Sequence, residues 1–243
     1  MILTYAKRIE AAGRWPDDVE LWRVDCAPAL AQGLDRDALR DLDETERERA
    51  QRFLREEDRV RFVLARATLR QLLAERLGTP AHALRFGASG HGRPELQGQA
   101  GAPAFNVSHS GPHALVALSC EREVGVDVEL LTQGLEWRAL GRVACTAAER
   151  DTLECVLPAQ RARAFMRIWT AKEALLKAVG VGIAEHLQAF SIDPREEGGA
   201  ASVSGLHAQP HGPSVACIET LRFHWLDELP GAQACLAWSP AGR

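Results

Sequence analysis

Twice along this 243-residue chain a long helical pattern runs into a β-rich stretch, and that recurrence limits the fold more than any single motif. The first helical pattern spans residues 43–77, broken near Glu56-Glu57-Asp58, and its second half, 60–73, is strongly amphipathic. A Gly-, Pro- and Gln-rich loop follows at 87–103, with one extended piece at 93–96. Strands are expected at 104–107, 114–119 and 124–130, and an earlier one at 19–24. Helical patterns return over 136–180. A terminal β region starts at Phe190 and has its clearest strands at 215–226 and 232–238, with a loop or loose hairpin between 196 and 213. The halves also echo each other, Ala65-Arg-Ala-Thr-Leu-Arg against Ala171-Lys-Glu-Ala-Leu-Leu. The expectation is an α+β protein of two related α/β subdomains, 1–122 and 123–243, with a site between them.

Hydrophobic residues make up 46% of the chain and charged ones 26%, as in ordinary globular proteins. A net charge of −4 argues against a nucleic-acid partner held by overall positive charge. No apolar run approaches the ~20 residues of a membrane span, and the N-terminus lacks a signal-peptide core. The six cysteines contain no C-x-x-C pair, and several, Cys120 among them, sit in apolar strings that suggest buried reduced thiols. A cytoplasmic monomer without nucleic-acid or membrane partners is expected.

Charge usage singles out one helix. Of 29 basic residues only Lys7, Lys172 and Lys177 are lysine, and two of them flank Glu173 in Trp169-Thr-Ala-Lys-Glu-Ala-Leu-Leu-Lys177. Lysine presents a compact ammonium where arginine presents a planar fork. Glu173 and Lys177 are spaced i,i+4, which alone would make a surface pair worth ~0.3–0.5 kcal/mol. In Gly125-Val-Asp127-Val-Glu129 the strand period puts both carboxylates on one face, either as a solvated strand end or around a hard cation such as Mg²⁺. In Phe105-Asn-Val-Ser108-His109-Ser110, adjacent strand residues point opposite ways, so a Ser/His nucleophile–base pair is disfavoured against a phosphate-holding or solvated turn. Eight arginines between Arg47 and Arg70 read mostly as a solvated helix face, with Arg61 and Arg66 set apart by their apolar neighbours.

Together with Gly92-Arg-Pro94 and Asp58-x-x-Arg61, these strings resemble, in order and spacing, the Sfp-type 4′-phosphopantetheinyl transferases. The resemblance covers residues 43–191. It implies two pseudo-symmetric subdomains with coenzyme A and Mg²⁺ in the cleft between them. It also implies transfer of the phosphopantetheine arm to a serine of an apo acyl, polyketide or peptidyl carrier protein, releasing adenosine 3′,5′-bisphosphate. Asp127, Glu129 and Glu173 match the family's metal carboxylates, and Glu173 is the candidate base. Lys172 and Lys177 match diphosphate-side lysines, while Ser108 and His109 match contacts near the nucleotide. Arg61, Arg66 and Arg93 match coenzyme A contacts, and Glu149 matches a recurrent acidic position.

Two departures stand out. Gly-Arg-Pro replaces the commoner Gly-Lys-Pro, and Glu46 stands where some relatives carry lysine, so part of the 3′-phosphate clamp is expected to be missing or moved to Arg49 or Arg61. Two other classes use the same residues: a non-catalytic coenzyme A or carrier-binding module, and a Mg²⁺-dependent diphosphate hydrolase. Carrier recognition is expected between Leu130 and Leu157.

Overall fold

The computed structural model describes residues 5–34, 36–88, 94–182, 186–201 and 217–242. It divides into two compact units, Met1–Cys120 and Glu121–Arg243. Mixed helix and sheet make this an α+β chain.

The first unit runs β1 (Ala6–Ile9), β2 (Glu20–Asp25), α1 (Ala27–Gln32), α2 (Arg36–Asp41), α3 (Glu44–Gln51), α4 (Glu56–Leu77), β3 (Phe86–Ala88), β4 (Pro94–Leu96), β5 (Ala104–Ser110) and β6 (His113–Ser119). Its main sheet is antiparallel in the order β1-β2-β6-β5, and β3 pairs with β4 alone. The long helix α4 supplies the core. Val63, Leu64, Ala67, Leu72 and Leu73 are fully buried and share one cluster with Val24, Phe105, Val116 and Leu118. Each such large apolar side chain contributes about 1.5–3 kcal/mol. Gly78, at φ +61°, ends the helix in the left-handed region that glycine adopts most easily.

The second unit runs β7 (Val124–Leu130), α5 (Trp137–Ala144), α6 (Ala147–Cys155), α7 (Arg161–Val179), β8 (Gly198–Gly199), β9 (Arg222–Leu226) and β10 (Ala232–Trp238). Its antiparallel sheet has the order β7-β10-β9-β8. The helix α7 buries Phe165, Ile168, Leu175 and Leu176 against Phe223, Trp225, Cys235 and Ala237.

The sequence expectations for β7 and β10 match the observed bounds, and those for β5 and β6 are close. The helix break expected near Glu56-Glu57-Asp58 falls just before them, at residues 52–55. Those three acids form the first turn of α4, where the helix dipole favours them. Within the loop expected at 87–103, β4 coincides with the extended piece expected at 93–96, and the end of β3 overlaps the start of the loop. Residues 190–193 hold only a single bridge, at Ser191, so the terminal β region begins later than expected. Within 215–226 the described part starts as a 3₁₀ turn, Cys217–Thr220, before β9. Short β1, α1 and α2 were not anticipated, because four to six residues carry too little periodicity. Cys26, Cys145 and Cys235 are buried free thiols, but Cys120 is exposed, since the apolar strand β6 ends one residue before it. No described helix is long and apolar enough to cross a membrane.

Candidate active site

The second unit concentrates charge where β7 meets α7. A side chain at Gly125 would overlap the Ala174 carbonyl and lie 2.6 Å from the Ala178 nitrogen, so glycine lets strand and helix backbones touch. Two residues on, Asp127 (1% exposed) accepts a hydrogen bond from Lys177 Nζ at 2.5 Å. Lys177 Nζ also lies 3.3 Å from Glu173 Oε2. Burial and the neighbouring Asp127 charge, with a smaller push from Glu129, raise the Glu173 carboxyl to about 7 despite Lys177. The two carboxylates raise the Lys177 ammonium above its ordinary value against the effect of burial. Two carboxylates therefore share one ammonium, and the charge of Glu129 bears on Glu173 beside them. The i,i+4 spacing of Glu173 and Lys177 makes more than an exposed surface pair, since Lys177 also bridges to a buried strand carboxylate.

The raised Glu173 carboxyl has a consequence for stability. Its proton is held more tightly folded than unfolded, so its contribution is complete below the unfolded value of about 4.5. That contribution is lost as pH rises toward 7. Metal-free Glu173→Gln protein should gain melting temperature over the parent between pH 4.5 and 7.5. Parallel melting curves across that range would refute the assignment.

Lys172 is a correction to the sequence reading. It is fully buried on a different side of α7, bonded to Glu149 Oε2 (2.7 Å), the Ala144 carbonyl (3.0 Å) and the Leu187 carbonyl. Those three acceptors take all three ammonium protons, so Lys172 is not turned to the Asp127 site. Adjacent helical residues point about 100° apart, which is why Lys172 and Glu173 face different surroundings. Burial pulls the Lys172 ammonium down from its ordinary value, and Glu149 opposes that shift. Glu149 also accepts from the Ile192 backbone N–H (2.8 Å) and closes a capping box with Thr146 at the start of α6. The Lys172–Glu149 pair thus ties α6, α7 and the chain beyond them together.

The first unit holds two adjoining cavities of about 160 and 590 Å³. Arg49, Phe62, Arg66 and Pro94 line both, His109 lines the smaller, and Arg85, Phe86 and Gln97 line the larger. Arg66 is held from below: its Nε lies 3.1 Å from Glu46 Oε1, and burial lowers its guanidinium from the ordinary value. Glu46 also meets Arg70 at 2.5 Å, and Arg70, fully buried, bonds Asp43 and the Ala81 and Leu84 carbonyls. The expectation of a mostly solvated arginine face fails at Arg70, which is a core residue satisfied by two carboxylates and two carbonyls. Ser108 is buried on the opposite strand face from exposed His109, in keeping with the alternation of β5. Arg61 does not line either cavity; it binds Asp58 and the Gly111 carbonyl. Arg93 lies outside the described residues. Sequence reasoning missed Arg85 and the two phenylalanines as cavity residues, since nothing in their local pattern marks them.

Two family models match in tandem. A "4′-phosphopantetheinyl transferase, N-terminal" model covers residues 34–121, and the 4′-phosphopantetheinyl transferase superfamily model covers 123–232. The chain is 32% identical over 216 residues to 4′-phosphopantetheinyl transferase HetI of Nostoc sp., covering 86% of this chain and 90% of that one. This chain belongs to the 4′-phosphopantetheinyl transferase superfamily. Over 143 residues it is 38% identical to slr0495 of Synechocystis sp., provisionally named for the same transferase, with 58% of each chain covered. Human L-aminoadipate-semialdehyde dehydrogenase-phosphopantetheinyl transferase is 29% identical over 185 residues, 71% of this chain and 59% of that one. Membership makes the chain a transferase. The resemblance first seen in short motifs thus extends over most of its length.

Proposed function

We propose that this enzyme moves the 4′-phosphopantetheine arm of coenzyme A to a serine hydroxyl of an apo carrier protein, with Mg²⁺, releasing adenosine 3′,5′-bisphosphate. The single observation that carries this reading is Asp127, buried on β7, sharing Lys177 with Glu173 in a chain of this family. Recognition residues fall in both units, Arg66 and His109 in the first and Asp127, Glu173 and Lys177 in the second. We accordingly take the units as pseudo-symmetric halves, 1–122 and 123–243.

Among the described residues no three His, Cys, Asp or Glu side chains stand gathered as metal ligands. The donor chemistry nonetheless fits a hard dication. Asp127, Glu129 and Glu173 are oxygen donors, and the Glu173 carboxyl is raised by burial first and then by the charges of Asp127 and Glu129. These three residues would hold the ion, which would supply charge neutralisation at the diphosphate oxygens. Lys177, which bridges Asp127 and Glu173, would offset the charge that gathers on the leaving phosphate. Glu173, in its ionised form, is the candidate to take the serine proton as the new P–O bond forms and the bridging P–O bond of the diphosphate breaks, the electron pair leaving on the phosphate oxygen of adenosine 3′,5′-bisphosphate. The cavities flanked by Arg49, Arg66, Arg85 and His109 suit the adenosine end and its 3′-phosphate. With Glu46 committed to Arg66 and Arg70, Arg49 and Arg85 replace a lysine clamp there.

For the carrier, α5 offers exposed Leu140 and Val143 one turn apart with exposed Arg142 next to them, and Leu157 is exposed just beyond α6. An apolar strip with basic flanks suits an acidic, amphipathic partner helix. Purified protein incubated with coenzyme A, Mg²⁺ and a panel of apo acyl, polyketide and peptidyl carriers should add one phosphopantetheine mass to at least one of them. A folded, metal-supplied protein that modifies none would overturn the reading. Release of adenosine 3′,5′-bisphosphate without a carrier would instead favour the hydrolase.

A further inference from the structure

Gln233 presents an unmet hydrogen-bonding group beside the acidic site. It is 1% exposed, yet neither its amide nitrogen nor its amide oxygen has a hydrogen-bond partner among the described residues. Burying an amide without partners forfeits its hydrogen bonds to water, so such groups are rare in folded proteins. A valine or leucine would fill this strand position without that cost. Gln233 therefore represents a local cost that packing does not explain.

The register of the sheet shows what lies beside it. In β10, Gln233 pairs with Glu129 of β7, and Cys235 pairs with Asp127. Directly opposed residues of an antiparallel pair project on the same face with Cβ atoms about 4.5–5.5 Å apart. Gln233 and Glu129 thus share a face, and Asp127, two residues back on β7, lies on it too. Glu129 already perturbs Glu173 across that face. Glu129 is also only partly buried, where Asp127 and Gln233 are almost wholly so.

We propose that Gln233 is a positioning residue for the metal carboxylates. Its amide N–H donates to the Glu129 carboxylate and fixes that side chain when a divalent cation is bound. This rests on the metal reading given above. A carboxylate ligand needs such a partner because its free oxygen is otherwise free to rotate away from the ion. A neutral amide suits the role. It adds no charge beside the three carboxylates and the lysine already there, and its stem is long enough to cross from strand to strand. The cost of the unmet amide in the cation-free protein is then recovered on loading.

Mn²⁺ binding to the full-length protein without coenzyme A, followed by electron paramagnetic resonance, tests this, with melting temperature measured in parallel. Gln233→Met keeps the length and removes the amide. It should weaken Mn²⁺ binding about 10-fold or more while leaving the metal-free melting temperature unchanged or higher. Gln233→Asn, whose amide is withdrawn by one methylene, should also bind Mn²⁺ more weakly and serves if the Met protein does not fold. Parent-like Mn²⁺ affinity in a folded variant would overturn the role of Gln233 and leave the metal reading standing. A parent protein that transfers phosphopantetheine but binds no Mn²⁺ would overturn both the metal reading and this proposal. A lower melting temperature with unchanged Mn²⁺ affinity would make Gln233 a packing residue only.

Discussion

Asp127→Asn is expected to lower phosphopantetheine transfer by on the order of 10²–10³-fold, the scale of losing one preorganised electrostatic partner of a transition state. Asparagine keeps the shape of a side chain that is 1% exposed but removes the charge that would hold a cation. Lys177 keeps Glu173 as a partner at 3.3 Å, so the ammonium is not abandoned in the interior. The melting temperature should therefore move by no more than ~4 °C, about 1 kcal/mol for a chain of this size. Asparagine is a better probe than alanine here, because alanine would open space beside a buried lysine. Losing the Asp127 charge should also let Glu173 ionise more easily, since Asp127 is the larger of its two negative neighbours. The activity that remains should then have its pH dependence shifted to lower values. Parent-like turnover in a folded Asp127→Asn protein would remove this residue from the reaction.

The second large effect falls on stability. Lys172→Ala should cost about 3–5 kcal/mol, the usual penalty for breaking a buried ion pair and leaving its partner charged. Glu149, 2% exposed, would keep its two backbone donors but lose its counter-charge, while the Ala144 and Leu187 carbonyls would lose a donor. At ~2–4 °C per kcal/mol this amounts to roughly 10 °C of melting temperature. Adding Glu149→Gln, which removes the stranded charge and keeps the shape, should recover part of that loss. A variant of parental stability that has lost turnover would return Lys172 to the diphosphate.

Much of the site was legible because a strand's alternation fixes which side chains share a face. Asp127 and Glu129 were placed together on that basis, and Ser108 was kept apart from His109 for the same reason. Helical spacing likewise brought Glu173 to Lys177. Lys172 misled because its rarity and its place beside Glu173 looked like one signal, while its partner, Glu149, lies 23 residues away on another helix. Arg70 misled in a similar way. A stripe of charge in sequence does not tell a solvated arginine from one satisfied by Asp43, Glu46 and two carbonyls folded over it. The cavity walls at Arg85 and Phe86 depend on how β3 packs near α4, a non-local event without a local signature.

Gly125 carries a consequence for how this site can vary. Because β7 and α7 touch through their main chains, the distance from Asp127 to Lys177 and Glu173 is set by skeleton and not by side-chain reach. Even a methyl group there would wedge the helix outward and spread the charged groups apart, though none of them had changed. The chain is thus free to alter its exposed surface while a residue with no side chain keeps Asp127, Glu173 and Lys177 in register.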